Sequence, residues 1–316
     1  AEGRVIVERL AARADVVMEN MRPGVAARLG VGAERLAALN PRLIYCSVTA
    51  FGSTGPYRDR PGFDPLLQAM GGLMTLQGAS GPPQYLRIAI TDYYTASLAA
   101  QSVLAALYVR ERTGVGQRVE TSLLHGILAL QSGNVVQYAG KPVTARENPT
   151  YRLYQASDGQ WFFLACGNQS FWVKLCTALG LHDLADDPRF ASWILRLDNC
   201  HALLPILEKS FGSKPRDEWL AVLAAHDIPA AAVQSIADFM DDAAVRHHEM
   251  IREYDHPEVG RLRLMGQPLV FHDTQALDPG PPPILGQHTE GVLGEIGYDA
   301  AAIADLRQRR VVRTGA

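Results

Sequence analysis

The chain has 316 residues, 47% of them hydrophobic, so it is long enough to bury a sizeable core and to form two domains. Its 30 Lys and Arg residues against 33 Asp and Glu residues give a net charge of -3, which argues against a dedicated nucleic-acid or membrane-surface binder. No apolar run approaches the roughly 18 residues of a membrane span. The four cysteines lack the spacing of a zinc site, so we expect reduced thiols, no metal and a cytoplasmic protein.

The first half of the chain alternates helical and strand patterns. Helical spacing over 5–12 precedes an apolar run at 14–20, and helical spacing over 25–39 precedes a second apolar run at 43–49. Strand, helix and strand in succession form a βαβ unit, which predicts a parallel sheet with helices packed on it. The further predicted elements of this region are helices at 65–76 and 123–138 and a strand at 118–122.

Asp92 follows a short apolar run at 88–90 and precedes an Ala- and Leu-rich segment that ends near Arg112. The pattern predicts a strand followed by a long helix, with Asp92 as the N-cap residue of that helix. A carboxylate at this place would be ionised and held in one orientation, which suits a nucleophile or a general base. The ordinary alternative is that Asp92 only caps the helix, because Asp is a preferred N-cap residue.

A pocket is predicted beyond the carboxyl ends of the strands, where ligands bind in open α/β sheets. Asn20, Phe51 and Asp92 all lie at such ends. The sequence contains no G-x-G-x-x-G fingerprint, P-loop or G-x-S-x-G elbow, so it does not support a nicotinamide or flavin site.

The pattern becomes polar around 140–142, and a separate series of elements begins at Tyr151. We therefore predict a large α/β domain at 1–146, a small α+β domain at 147–270, and a linker with a C-terminal segment at 271–316. The predicted elements of the small domain are a strand at 161–166, helices at 170–179, 202–210 and 216–225, and edge strands at 228–233 and 261–264.

Several short motifs occur in a defined order along the chain. They are ENMRPG at 19–24, NPRLIY at 40–45, FGSTGPY at 51–57, PGFD at 61–64, TD at 91–92, RERTGVGQ at 110–117 and LGQHT at 285–289. Each motif is weak alone, but their order and spacing closely resemble the class III CoA-transferases. This group includes formyl-CoA transferase, carnitine CoA-transferase and the α-methylacyl-CoA racemases. The resemblance covers nearly the whole chain.

The resemblance implies a Rossmann-like large domain with a parallel sheet, a smaller α+β domain, and a C-terminal segment that returns to the large domain after Pro283. It also implies an interlocked homodimer. The implied substrates are acyl-CoA and a small carboxylic acid, with no permanently bound cofactor and neither nucleic acid nor a membrane as a partner.

The resemblance makes Asp92 the catalytic nucleophile. Its carboxylate would attack the acyl-CoA thioester to form a mixed anhydride, and the CoA thiolate would return to form an aspartyl-CoA thioester. Phe63 and Asp64 are expected to border the acyl pocket. Arg28 is expected to pair with a CoA phosphate, although a solvated helix arginine is the ordinary alternative. The residues expected to contact CoA are Asn20, Met21, Arg28 and Leu29.

The chain also departs from the family pattern. The racemase branch has a His at the position of Phe63, and because Phe cannot transfer a proton, CoA transfer is favoured over the alternative of an acyl-CoA racemase or epimerase. The glycine-rich loop of formyl-CoA transferase has no counterpart around 141–151, which argues against oxalate as a substrate. Family members usually begin with a further segment, so we expect an upstream part to be missing. The remaining alternative is an inactive, truncated CoA-binding homologue.

Overall fold

The structure is a computed structural model that describes residues 2–78, 81–136, 147–274, 278 and 280–315. It contains two compact units. Unit 1 comprises residues 1–144 and 282–316, and unit 2 comprises residues 145–281. The expected junction at 141–151 lies partly outside the described residues, and the domain limits drawn from the sequence stay a prediction.

Unit 1 is built on a parallel sheet. Its strands are β1 (Val16–Glu19), β2 (Ile44–Thr49) and β3 (Arg118–Ser122), in the order β1-β2-β3. Met18 of β1 lies beside Cys46 of β2, which lies beside Val119 of β3. The central strand is almost completely buried, as expected for a parallel sheet covered on both faces. The predicted parallel α/β architecture is confirmed.

Seven helices accompany this sheet in the described residues up to 136. They are α1 (Glu2–Ala11), α2 (Val25–Arg28), α3 (Ala33–Leu39), α4 (Asp64–Met70), α5 (Leu73–Gly78), α6 (Ile90–Thr113) and α7 (Leu123–Leu130). Helix α7 is shorter than predicted, and Tyr138 at the predicted end lies outside the described residues.

Glycines divide two of the predicted helices. The helix predicted at 25–39 is interrupted between α2 and α3 by Gly30, which has a φ of 77°. The helix predicted at 65–76 is interrupted between α4 and α5 by Gly72, which also has a φ of 77°. Only glycine adopts this left-handed conformation without a steric cost, so each break lies where the sequence permits it.

Unit 2 is an α+β unit with two antiparallel sheets. Strands β4 (Tyr151–Gln155), β5 (Trp161–Ala165) and β6 (Ala230–Ala232) pair in that order. Strands β7 (Ile251–His256) and β8 (Gly260–Met265) form a hairpin. The sequence analysis did not predict β4 or β7. The helices are α8 (Gln169–Ala178), α9 (His182–Asp186), α10 (Trp193–Asp198), α11 (Cys200–Phe211), α12 (Arg216–Ala225), α13 (Ile236–Met240) and α14 (Ala243–His247).

The C-terminal segment belongs to unit 1, as the resemblance implied. Its helices are α15 (Thr289–Glu295) and α16 (Ala300–Gln308). Ile6 of α1 lies in one buried cluster with Leu293 and Ile303, and Arg309 forms an ion pair with Glu2 at 2.6 Å. The two ends of the chain therefore pack together. Across the part of the chain that the structure describes, no helix has both the length and the apolar character needed to cross a membrane.

Candidate active site

Asp92 lies inside the first turn of α6, not at the N-cap position that the sequence predicted. It is the third residue of the helix, the N-cap residue is Ala89, and Ala89 provides no side-chain hydrogen bond. The expected strand at 88–90 is also wrong, because the described chain enters α6 from a non-strand segment. The carbonyl oxygens of Leu86 and Ile88 accept hydrogen bonds from Gln68 Nε2, at 3.2 and 3.3 Å, in place of a strand partner.

Asp64 provides the carboxylate that caps α6. Its Oδ2 accepts the backbone N–H of Thr91 at 2.7 Å and that of Asp92 at 3.3 Å. Its Oδ1 accepts a hydrogen bond from Gln68 Nε2, one turn along α4. Asp64 and Gln68 are both buried. A carboxylate can be buried in this way because charge-assisted hydrogen bonds replace its water contacts.

A cavity of about 560 Å³ opens at the carboxyl end of the sheet, and Asp92 is part of its wall. Of the residues that the sequence singled out, Asn20, Met21, Phe63 and Asp92 line this cavity together. The pleat directs Met18 and Val48 to the same face of the sheet, and both contribute to the wall. Ala99 from α6 and Leu123 from α7 complete its apolar part.

Three predicted residues lie outside the cavity lining. Asp64 is buried beneath the start of α6, with both of its oxygens hydrogen-bonded. Phe51, expected in the pocket because it follows a strand, packs instead in an apolar cluster with Leu67 and Ile127. Leu29 is exposed at the C-cap position of α2.

Arg28, the fourth predicted residue outside the lining, is exposed on α2. Its Nη1 is close to Gly24, since a Cβ built on that glycine would lie 3.4 Å from Nη1 and 3.8 Å from Arg58 Nη2. The guanidinium groups of Arg28 and Arg58 therefore both lie close to Gly24, and Arg58 also lines the cavity.

Asn20 fixes the geometry where β1 and β2 end. Its Nδ2 donates to the carbonyl oxygen of Val48 at 2.7 Å. The next backbone N–H, that of Met21, donates to Glu19 Oε2 at 2.8 Å. Side-chain hydrogen bonds therefore hold the turn after β1 beside the end of β2, and this turn forms one wall of the cavity.

Arg22, Arg58 and Arg60 also line the cavity, and the sequence analysis did not select them. Within the described residues, none of the three forms an ion pair with a carboxylate; the guanidinium of Arg60 instead lies 4.1 Å above the ring of Tyr57. The available signal was their position, because Arg22 lies within the ENMRPG motif and Arg58 and Arg60 lie between the FGSTGPY and PGFD motifs. Unpaired guanidinium groups around a cavity attract an anionic ligand.

The environment of Asp92 disfavours its charged form. The Asp92 side chain is open to the cavity, but surrounding protein atoms displace part of its hydration, and this desolvation raises its pKa above the ordinary value. The negative charge of Asp64 raises the pKa of Asp92 further. Such a carboxylate is more basic than a fully hydrated one, which favours it as a nucleophile or a general base.

Comparison with known proteins decides the family of the chain. The sequence profile described as CoA-transferase family III matches residues 1–289. The chain belongs to this family. The CoA-transferase family III assignment agrees with the order of motifs from ENMRPG to LGQHT, and the protein is of the CoA-transferase class of enzymes.

Curated members of family III resemble the chain over nearly its whole length. An acyl-CoA transferase of Fusarium pseudograminearum is 34% identical over 99% of this chain and 70% of its own length. The succinyl-CoA:glutarate CoA-transferase of Mus musculus is 34% identical over 95% of this chain and 71% of its own length. A formyl-CoA:oxalate CoA-transferase of Streptomyces avermitilis is 32% identical over 98% of this chain and 80% of its own length.

Solved structures of similar proteins share the fold. A CAIB/BAIF family protein from Brucella suis is 35% identical, with a TM-score of 0.80 over 93% of this chain and 79% of that chain. A Mycobacterium tuberculosis protein is 29% identical, with a TM-score of 0.81 over 91% of this chain and 79% of that chain. The chain therefore shares the fold of these proteins, including its α/β unit.

Proposed function

We propose that the protein moves CoA between an acyl-CoA thioester and a small carboxylic acid, with Asp92 as the covalent nucleophile. The observation that carries this proposal is the position of Asp92 in the wall of a cavity that three arginines also line, none of them ion-paired with a carboxylate of the described residues. A nucleophilic carboxylate and a cationic approach suit a reaction whose substrate combines a thioester with phosphate groups.

The chemical steps balance without an external proton donor. An Asp92 oxygen attacks the thioester carbonyl and the C–S bond breaks. CoA leaves as a thiolate, and a mixed anhydride between Asp92 and the acyl group remains. The thiolate then attacks the aspartyl carbonyl of the anhydride. This attack forms an aspartyl-CoA thioester and releases the first carboxylate. The acceptor carboxylate then attacks this thioester, and the released thiolate attacks the new anhydride at the acyl carbonyl. The new acyl-CoA leaves and the Asp92 carboxylate is regenerated.

The CoA moiety is proposed to bind along the turn after β1. Asn20 and Met21 line the cavity there, and Arg28 with Leu29 lies on the adjoining helix α2. Charge-assisted pairs between guanidinium groups and phosphates are stronger than neutral hydrogen bonds, so we assign the phosphates to this arginine-rich side. The arginines available to the phosphates are Arg22, Arg28, Arg58 and Arg60.

The acyl group is proposed to lie against the apolar part of the cavity, where Phe63 borders the space beside Asp92. The Phe63 ring is 70% exposed, so it is free to close over a bound acyl chain. Because Phe63 carries no ionisable group, the site lacks the proton partner that racemisation requires at this position. The relatives named for succinyl-CoA:glutarate and formyl-CoA:oxalate transfer are consistent with small carboxylic acids as the substrate class.

We also propose that the protein is a homodimer. Tyr93, Leu104 and Tyr108 share one face of α6, and each is at least 60% exposed in the single chain. Large apolar and aromatic side chains that are exposed on one helix face suit an association surface. Sedimentation of the wild type against Leu104→Asp tests the assignment, and a Leu104→Asp variant with the wild-type mass would count against this surface. The cytoplasmic location stays a prediction.

The experiment that tests the reaction is a CoA-exchange assay over small carboxylic acids. We expect Asp92→Asn to lose exchange by about a thousandfold or more, because an amide cannot form the anhydride. Asp183→Asn is the matched control, since Asp183 is also an exposed carboxylate in a first helical turn. In deuterated water, label at the α-carbon of a chiral 2-methylacyl-CoA would instead favour the racemase alternative.

A further inference from the structure

The first turn of α6 has an unusual source of capping. In an isolated helix the first backbone N–H groups lack partners, and a side chain of the N-cap residue normally provides one. Here Ala89 has no such side chain. The N–H of Ile90 donates to the carbonyl oxygen of Ile88 at 2.8 Å, and the N–H groups of Thr91 and Asp92 donate to the carboxylate of Asp64. The partner for the nucleophile's backbone therefore comes from α4.

Gln68 extends this contact to the segment that leads into α6. Its Nε2 contacts Asp64 Oδ1 and the carbonyl oxygens of Leu86 and Ile88, and its Oε1 accepts the N–H of Leu86 at 3.3 Å. Gln68 and Asp64 are buried one turn apart on α4. The two side chains therefore attach the whole approach to Asp92, from Leu86 onward, to a single rigid helix.

We propose that Asp64 and Gln68 form a positioning pair that orients the Asp92 nucleophile from beneath the cavity. This inference rests on the proposed function, because it assigns Asp92 the covalent step. Asp64 is not part of the cavity wall, so it acts through Asp92 rather than on the substrate.

The two roles of Asp64 have separate physical origins. Its hydrogen bonds fix the backbone at residues 91 and 92, and a preorganised nucleophile needs less rearrangement to reach the thioester carbon. Its charge opposes ionisation of the neighbouring carboxylate and acts in the direction of the raised pKa of Asp92. The other charged groups in the lining of the cavity are Arg22, Arg58 and Arg60, whereas the raised pKa of Asp92 is caused by desolvation and by the charge of Asp64.

The test is the pH profile of kcat/KM for Asp64→Asn. With its oxygen in the place of Oδ2, an asparagine still accepts the N–H groups of Thr91 and Asp92. It loses the negative charge and the second oxygen that accepts Gln68 Nε2. We expect the acidic limb of the profile, which reports ionisation of Asp92, to move to lower pH. Asp64→Glu keeps the charge, and its acidic limb should stay at the wild-type position. Asp299→Asn is the control, because Asp299 caps α16 through the N–H of Ala302 at 2.8 Å and should leave the limb unmoved.

A purely structural role for Asp64 would lower the melting temperature of Asp64→Asn without moving the limb, and that result overturns the inference. If Asp64→Asn does not fold, Gln68→Ala gives the second test. We expect it to lower kcat about tenfold or more while the KM for acyl-CoA changes less than about threefold. An equal loss in both parameters, or no loss in either, also overturns the inference. Exchange that survives Asp92→Asn would contradict the proposed function itself, so the two failures are distinguishable.

Discussion

The side-chain amide of Asn20 donates to the carbonyl oxygen of Val48 at 2.7 Å and joins the ends of two parallel strands. This contact fixes the turn that contains Met21 against the strand that contributes Val48 to the cavity. An exposed hydrogen bond therefore holds this wall of the cavity beside the end of β2.

We expect Asn20→Ala to raise the KM for acyl-CoA by about three- to tenfold with little change in kcat, as for loss of one neutral hydrogen bond used equally throughout the reaction. Because Asn20 is exposed, Asn20→Ala should lower the free energy of unfolding of the protein by less than about 1 kcal/mol. Asn40→Ala is the control. Asn40 Nδ2 also donates to backbone carbonyls, those of Ala11 and Ala14, but it lies outside the cavity lining. Asn40→Ala should lose more stability than Asn20→Ala and keep the wild-type KM. A larger stability loss in Asn20→Ala, or a larger rise of KM in Asn40→Ala, would contradict the assignment.

Gly126 is required where α7 crosses α6. A Cβ built at this position would lie 2.0 Å from Thr95 Oγ1. Alanine has a helix propensity about 1 kcal/mol better than glycine, but overpacking costs about 1–3 kcal/mol, so we expect Gly126→Ala to destabilise the protein. The Thr95 hydroxyl is buried and, in the described structure, has no hydrogen-bond partner. In a Thr95→Ala background the cost of Gly126→Ala should therefore largely disappear. Urea unfolding of the four proteins of this cycle checks the coupling, and strictly additive effects would refute the proposed clash.

Two core thiols should be chemically inert. Burial raises the pKa of Cys166 and of Cys176 to about 12, so at pH 8 only about one thiol in ten thousand is ionised. Cys200 is only partly buried. We expect iodoacetamide to modify Cys200 first in the native protein, and Cys166 and Cys176 only after unfolding. Peptide mass spectrometry gives the order, and early modification of Cys166 would contradict its complete burial.

Arg58→Gln and Arg60→Gln should each raise the KM for acyl-CoA about tenfold and leave kcat within about twofold, because lost phosphate contacts act on binding. The dependence of KM on salt should also become weaker. A dephospho-CoA thioester, which lacks the 3′-phosphate, identifies the arginine that contacts this phosphate. The variant without that arginine should have similar KM values for the acyl-CoA and for its dephospho-CoA analogue. Arg189→Gln is the control, because Arg189 pairs with Asp187 in unit 2. An unchanged KM in both cavity variants would contradict the assigned phosphate side.

Replacement of Asp92 should separate stability from activity. A carboxyl whose pKa is raised on folding favours the folded state below its unfolded-state pKa, and this contribution is lost as the pH rises through the folded-state value. The pKa of Asp92 is raised above its ordinary 3.8 by desolvation and by Asp64. At neutral pH we therefore expect Asp92→Asn to melt at or above the wild-type melting temperature. As the pH falls towards 3.8, the stability of the wild type should increase relative to that of the variant. A large loss of stability in Asp92→Asn at neutral pH would indicate a capping role instead.

The sequence predicted the elements whose signal is local. Alternating helical and apolar segments predicted the parallel strands around Cys46, which is buried in the central strand. Motif order brought Asn20, Met21, Phe63 and Asp92 together, and all four line one cavity.

The parts that the sequence did not predict depend on contacts between distant segments. The apolar run at 88–90 has strand propensity, but hydrogen bonds from Gln68 take the place of a strand partner. Asp92 was expected to cap its own helix, whereas Asp64, 28 residues earlier, does so. Local propensity contains no information about either partner. The arginines around the cavity were missed for a similar reason, because their lack of carboxylate partners within the described part of the chain is visible only in three dimensions.

The most direct test of the central claim is chemical trapping of the covalent intermediate. The protein is incubated with an acyl-CoA that it turns over, quenched with hydroxylamine and digested, and the peptides are mapped by mass spectrometry. We expect a hydroxamate on the side chain of Asp92. Turnover with no hydroxamate at Asp92, or with the hydroxamate on another carboxylate, would contradict it.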